Sequence, residues 1–229
     1  MSKLIGIIGA MDIEVSGIVD SMTEVETKSI SNITFYKGKL YNKDVVAAKC
    51  GIGKVFAAIC AQTMILKYGV DVIINTGVAG SLTSELGVLD VAVAKNVVQH
   101  DMDTSPLGDP KGLISGINVI YFETDELVKG ALLKACKAVN CDSFEGTIAS
   151  GDKFIANKQD KTDIINEFNA IACEMEGAAI GHTCFINNVP FGIIRAISDG
   201  DGAEMDYQTF SKLAAENSIK ITKKFVEIY

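Results

Sequence analysis

The chain has 229 residues, with 21 Lys plus Arg against 29 Asp plus Glu and a formal charge of −8. That length can bury a sizeable core, and the acidic balance leaves no electrostatic footprint for nucleic acid or an anionic membrane. The 48% apolar and 22% charged fractions exclude disordered and collagen-like chains.

Residues 4–9 read as a buried strand, and Asp12 and Glu14 then lead into Val15, Ile18, Val19 and Met22 at helical spacing. Residues 33–40 alternate, 45–50 form another apolar run, and 53–68 carry apolar residues round most of a helix, as a covered helix does. A second cycle gives buried strands at 70–75 and 88–94, an amphipathic helix at 125–140 with Asp125 near its start, and a strand end at 145–149. Residues 170–173, 177–185, 191–197 and 207–226 read as strand, helix, strand and helix. This alternation predicts an α/β fold with a largely parallel sheet and an antiparallel contribution from 33–50. No linker rich in Pro, Gly or Ser divides the chain, so residues 1–229 are expected to form a single domain. Residues 100–116, with two of the three prolines, are the one long irregular loop. The apolar runs fall far short of the ~18 residues of a membrane span, and no secretion signal is legible. A cytoplasmic protein is expected.

Glycines follow several strands, yet none completes a P-loop or a dinucleotide fingerprint. They serve tight turns, or a floor on which a flat ligand approaches the backbone. Acids also sit just past strand ends: Glu14, Glu174 and Glu176, and Asp199. Open α/β sheets bind ligands at such ends, although helix starts favour acids too. Asp199 closes a buried run and follows Ser198, a setting suited to a general acid. His100 and His182 are too few and too far apart for zinc, and neither metal nor cofactor is expected. His182, inside a helix, reads as structural, and the six cysteines as reduced core residues. The only arginine, Arg195, lies near a strand end beside Asp199 and is expected to pair with a carboxylate and orient it rather than to contact a ligand.

Taken together, IGIIGAMDIEV at 5–15, CGIGKVFAA at 50–58, DVIINTGVAG at 71–80, SGDKFI at 150–155, CEMEGAAI at 173–180 and PFGIIRAISD at 190–199 resemble the 5′-methylthioadenosine/S-adenosylhomocysteine nucleosidases of the purine nucleoside phosphorylase superfamily. The resemblance implies a three-layer fold with a central twisted mixed sheet between helices, and a homodimer with each pocket near the subunit interface. It makes Glu14 the carboxylate that activates water and Asp199 the acid that protonates N7 of adenine. Met175 and Glu176 would hold the ribose, Phe154 would stack on the purine, and the backbone of Ile155 would read its polar edge. Ala10, Met11, Ile52, Val78, Ala79 and Gly80 would line the cavity, with Ser198 and Arg195 supporting Asp199. Met102, Pro106 and Leu107 of the irregular loop would furnish a partner chain's 5′ pocket. Val78 stands where some members have serine, Leu107 and Asp109 where some have aromatic rings, and the loop 200–206 is shorter than in some. The implied reaction is hydrolysis of methylthioadenosine, S-adenosylhomocysteine and 5′-deoxyadenosine. The alternatives are a futalosine hydrolase, a phosphorolytic relative, and a nucleoside-binding sensor without catalysis.

Overall fold

Neighbouring residues of the first strand face opposite layers: Ile7 packs with one apolar cluster and Ile8 with another, and Ile74 and Ile73 repeat the division. That two-residue period, set by the strand's pleat, is what makes the sheet central. The computed structural model describes residues 3–199 and 207–229. The strands are β1 (Ile5–Gly9), β2 (Thr23–Ile30), β3 (Ile33–Leu40), β4 (Lys43–Lys49), β5 (Val72–Ser81), β6 (Val91–Gln99), β7 (Tyr121–Glu123), β8 (Ser143–Ser150), β9 (Ala170–Glu174) and β10 (Phe191–Asp199). The helices are α1 (Asp12–Val19), α2 (Lys54–Thr63), α3 (Glu126–Ala138), α4 (Lys158–Phe168), α5 (Gly177–Asn187) and α6 (Tyr207–Ile228). Helices α1, α3 and α6 cover the face that bears Ile7, and α2 and α5 the face that bears Ile8. Helix α4 packs beside β8 and β9 through Ile164 and Phe168.

The three-layer mixed α/β arrangement agrees with expectation, but the sheet is less parallel than predicted. Strands β5, β10, β6, β8 and β9 close on one another, and β1, β4, β3 and β2 continue outward from β5. Closing that ring sets β10 antiparallel to β6 and β5 antiparallel to β9, while β6–β8 and β8–β9 remain parallel.

Three further departures have local causes. The predicted helix 53–68 is α2 followed by a π-helical turn at Met64–Tyr68, which ends at Gly69 in the left-handed region. Only one of its faces, with Ala57, Cys60 and Ala61, is buried by the described residues: Val55 is 70% and Leu66 72% exposed, and Phe56 and Ile59 are exposed beside them. Strand β2 is absent from the prediction because all but its last side chain are exposed, so no apolar alternation marks it. Strand β7 and helix α4 are likewise unpredicted, and the irregular loop contains a 3₁₀ turn at Ser105–Leu107. All six cysteines are free, five of them buried. The expectation for 200–206 lies outside the described residues.

Candidate active site

The carboxyl ends of β1, β4, β5, β8, β9 and β10 meet on one side of the sheet, and the acids flagged at strand ends converge there. They line a cleft whose empty space, its open mouth included, is about 650 Å³, within the range of small-molecule sites. Ala10, Met11 and Glu14 enter from the β1–α1 turn, Ile52 from the turn after β4, and Val78, Ala79 and Gly80 from β5. Phe154 and Ile155 follow β8, Met175 and Glu176 follow β9, and Arg195, Ser198 and Asp199 come from β10. Glu174, flagged as a strand-end acid but given no role, completes the wall together with Lys153 and Cys173, which were not among the predicted site residues. Met102, Pro106 and Leu107 do not reach this cleft within one chain, and Leu107 is 83% exposed.

Glu14 occupies the third position of α1, where a glutamate can turn back onto the orphan amides of the helix start. Its Oε2 accepts from the N–H of Ala10 (2.7 Å) and Met11 (2.9 Å), and its Oε1 from the N–H of Val78 (2.9 Å). The residue thus makes the bonds of a helix start while lining the cleft. Burial nevertheless raises the Glu14 proton affinity above the usual carboxylate range, opposed by Arg195 and the three amides.

Glu176 sits at the junction of β9 and α5. Its Oε1 accepts from Gly53 N–H at 2.8 Å, and its Oε2 lies 3.5 Å from Arg195 Nη2. Gly53 has φ +99°, a conformation natural to glycine, and that turn aims its amide at the carboxylate. Desolvation pushes the Glu176 carboxyl up to about 7, with Arg195 opposing and the like charges of Glu174 and Glu14 adding to the rise.

Arg195 pairs with carboxylates, as expected, but with Glu174 and Glu176 and not with the Asp199 that the resemblance has it support. Its Nη2 donates to Glu174, Asn75 and Glu176, and its Nη1 to Val78 O at 3.4 Å. The reason is strand geometry: four residues along an extended strand span about 13 Å, so the two side chains serve different ends of the cleft. Asp199 is instead held by Ser198 Oγ, which donates to its Oδ1 at 3.0 Å, and Lys161 Nζ lies 3.9 Å from its Oδ2. Ser198 thus contacts the Asp199 that the resemblance has it support, and Lys161 is an addition from the unpredicted α4.

The glycine floor is only partly available to a ligand. A Cβ on Gly77 would lie 2.4 Å from both Arg195 Nη1 and Glu14 Oε1, so that glycine makes room for the guanidinium and the carboxylate themselves. Gly80 lines the cleft, where a Cβ would come within 3.1 Å of Asp199 Oδ2. His182 is structural as predicted, stacked on Phe122 with centroids 4.7 Å apart and 3.2 Å from Gln99 Nε2. His100 lies outside the cleft.

The sequence profile of the phosphorylase superfamily matches residues 4–227. An aminodeoxyfutalosine nucleosidase of Campylobacter jejuni is 38% identical over 97% of this chain and 96% of its own length. A 5′-methylthioadenosine/S-adenosylhomocysteine nucleosidase of Staphylococcus haemolyticus is 37% identical over 98% of this chain and all of its own. Among solved structures, the nucleosidase of that name from Neisseria meningitidis, in complex with methylthio-immucillin-A, superposes with a TM-score of 0.95 at 34% identity, covering 99% of this chain and 100% of that one.

Proposed function

Because the chain belongs to the phosphorylase superfamily, we infer that its cleft cleaves a purine nucleoside with water as the nucleophile. It is an N-glycosyl hydrolase that converts 5′-methylthioadenosine and S-adenosylhomocysteine to adenine and the 5′-substituted ribose. The observation that carries the choice of water over phosphate is the placement of Arg195. The chain's one guanidinium is engaged by Glu174 and Glu176, and Glu14 stands beside it. A phosphate entering there would meet carboxylates without a free bidentate partner.

The residue roles follow from the chemistry. Adenine leaves poorly as an anion, so a proton delivered to N7 by Asp199 lowers the barrier to breaking the glycosidic bond. Ser198 fixes one oxygen of that carboxyl and leaves the other facing Gly80 and the cleft. As the bond breaks, positive charge grows on the ribosyl carbon, and Glu14 and Glu176 stabilise it at short range in a desolvated site. Glu176 grips the ribose diol. Glu14, rigidly held by three amides, takes the proton of the attacking water, a task helped by a proton affinity that burial raises above that of an ordinary carboxylate. Phe154 supplies a face for the purine, Met175 packs on the sugar, and the Ile155 backbone reads the base edge.

The exposed apolar face of α2 fits a homodimer interface, across which the 100–116 loop would reach the partner's 5′ pocket. Free thiols suit a reducing cytoplasm. The test is a phosphate-free assay of adenine release from methylthioadenosine, S-adenosylhomocysteine, 5′-deoxyadenosine and aminodeoxyfutalosine, the last because a relative of equal similarity bears that name. Turnover of the first two without phosphate is expected. A strict phosphate requirement with a sugar-1-phosphate product would overturn the hydrolytic reading.

A further inference from the structure

Glu174 is the one acid of the cleft to which the reaction assigns no role, yet it has the most elaborate surroundings. It ends β9 with its side chain 2% exposed. Four donors converge on it: Ser150 Oγ on Oε1, the N–H of Glu176 on Oε2 (3.0 Å), the N–H of Gly177 shared between both oxygens (3.0 and 2.8 Å), and Arg195 Nη2 on Oε2. Ser150 Oγ is fixed in turn by the N–H of Ala178 (2.7 Å). A carboxylate offers about four lone-pair sites, and these are spent on the protein, so little of Glu174 is left for a ligand. A Cβ on Gly177 would lie 3.1 Å from Glu174 Oε1, which shows how closely the carboxylate is seated on the start of α5.

We propose that Glu174 is a positioning residue for the hydrolysis: it clamps the Arg195 guanidinium to the N-terminus of α5 and so fixes where Glu14 and Glu176 stand. The clamp reaches both carboxylates by short paths. Glu176 is tied through its own backbone N–H on Glu174 and through Arg195 Nη2. Glu14 is reached through Arg195 Nη1, which shares the space over Gly77 with Glu14 Oε1. Glu174 also competes with both for the only arginine. Holding the guanidinium to itself, it leaves less of that charge to Glu14 and Glu176, and its own negative charge adds to the raised proton affinity of Glu176. The charged and titratable groups around this cluster are Glu14 from α1, Cys50 after β4, His100 after β6, Cys173 on β9, Glu176 at α5 and Arg195 on β10. Of these only Arg195 is a cation next to Glu14 and Glu176.

The proposal rests on the hydrolytic reading above, so wild-type protein is assayed beside each variant on methylthioadenosine. In Glu174→Gln an amide N–H₂ must face one of four donors and the competing charge is gone. Arg195 then turns to Glu14 and Glu176, which ionise more readily. The expected result is a kcat at least ~10-fold lower with KM held within about threefold, and an acid limb of kcat/KM moved to lower pH by about one unit. A residue that merely holds the fold would lower the yield of active protein and leave the limb in place, so an unmoved limb overturns the proposal. Removing one partner of a buried ion pair is strongly destabilising. If Glu174→Gln does not fold, Ser150→Ala decides, because it keeps the ion pair and removes only the link from the carboxylate through Ser150 Oγ to the N–H of Ala178. A kcat lowered threefold or more at unchanged KM supports the clamp, and wild-type kcat refutes it. Absence of turnover in the wild type overturns the functional reading and this inference together.

Discussion

Replacing Glu176 by glutamine should stabilise the unliganded protein while damaging its function, and the gain should depend on pH in a defined way. Burial and neighbouring carboxylates raise Glu176 from the ordinary 4.5 to about 7 in the folded chain. A group that binds its proton more tightly when folded contributes stability that is fully present below its unfolded value and is lost as pH rises to the folded one. Between pH 4.5 and 7 the folded protein therefore loses, through this one group, about 3 kcal/mol at about 1.4 kcal/mol per pH unit. Glutamine carries no such cost. Its carbonyl still accepts from Gly53 N–H, now at 2.8 Å on Oε1, but its amino group meets Arg195 Nη2, 3.5 Å away, in place of a carboxylate oxygen. That mismatch offsets about 1 kcal/mol, which leaves a net gain of about 2 kcal/mol above pH 7. For a chain of this length such a gain raises the melting temperature by roughly 4–8 °C. Melting curves of both proteins from pH 4 to 8, without nucleoside, measure it; carboxylates remote from Glu176 titrate in both and cancel in the difference, while Glu14 and Glu174, which interact with it, titrate with it as one cluster. The gap should open between pH 4.5 and 7 and then level off. A gap that is constant across that range would sink the reasoning. The same variant should discriminate less between ribosides and 2′-deoxyribosides, since its bond to the diol is no longer charge-assisted.

Asp199→Asn retains shape and hydrogen bonding but has no proton to transfer, so adenine release should fall at least ~100-fold while methylthioadenosine still binds in calorimetry; near-normal turnover would remove Asp199 from its role. Glu14→Gln keeps a similar outline, but its amino group must oppose one of the three amides that now meet carboxylate oxygens. Hydrolysis should stall with affinity nearly intact, and a loss of affinity at preserved single-turnover rate would reverse the assignments of Glu14 and Glu176. Leu107, 83% exposed in the single chain, should matter only to the 5′ group. Leu107→Asp is expected to lower kcat/KM for methylthioadenosine and spare adenosine, and equal losses would show that the loop does not build the 5′ pocket.

Which parts of this were legible in the sequence depended on whether a residue's partner was local. Glu14 carries its signal in its own helix start, and Ser198 stands next to the Asp199 it supports. That Arg195 pairs with a carboxylate is legible, but which one is not, because the neighbours it has along the chain are not those it has across the sheet: in register with Gly77 on β5, it faces Glu174 and Asn75. Glu174 was visible as a strand-end acid, but nothing nearby in sequence announces that Ser150 and Arg195 close on it. Helix α4 was missed because Ile164, Ile165 and Phe168 are its only apolar residues. Its start was nevertheless written at Asn157, whose side chain accepts from Asp160 N–H at 2.9 Å, an N-cap signal that was there to be read. With α4 went Lys161, and with it the cation beside Asp199.

The cysteines give the fold a built-in gauge. Burial pushes the thiols of Cys60 and Cys173 up to about 12 and that of Cys136 to about 11, and raises those of Cys50 and Cys184 further still. The thiolate is the nucleophile, so an alkylating reagent at neutral pH finds almost none at these five positions while the chain is folded. They are spread over the turn after β4, α2, α3, β9 and α5, and each becomes reactive only when its own part of the molecule opens. The order in which they acquire label under mild denaturant would therefore report, without any engineered probe, whether the two faces of the sheet and the α4 flank come apart together or one after another.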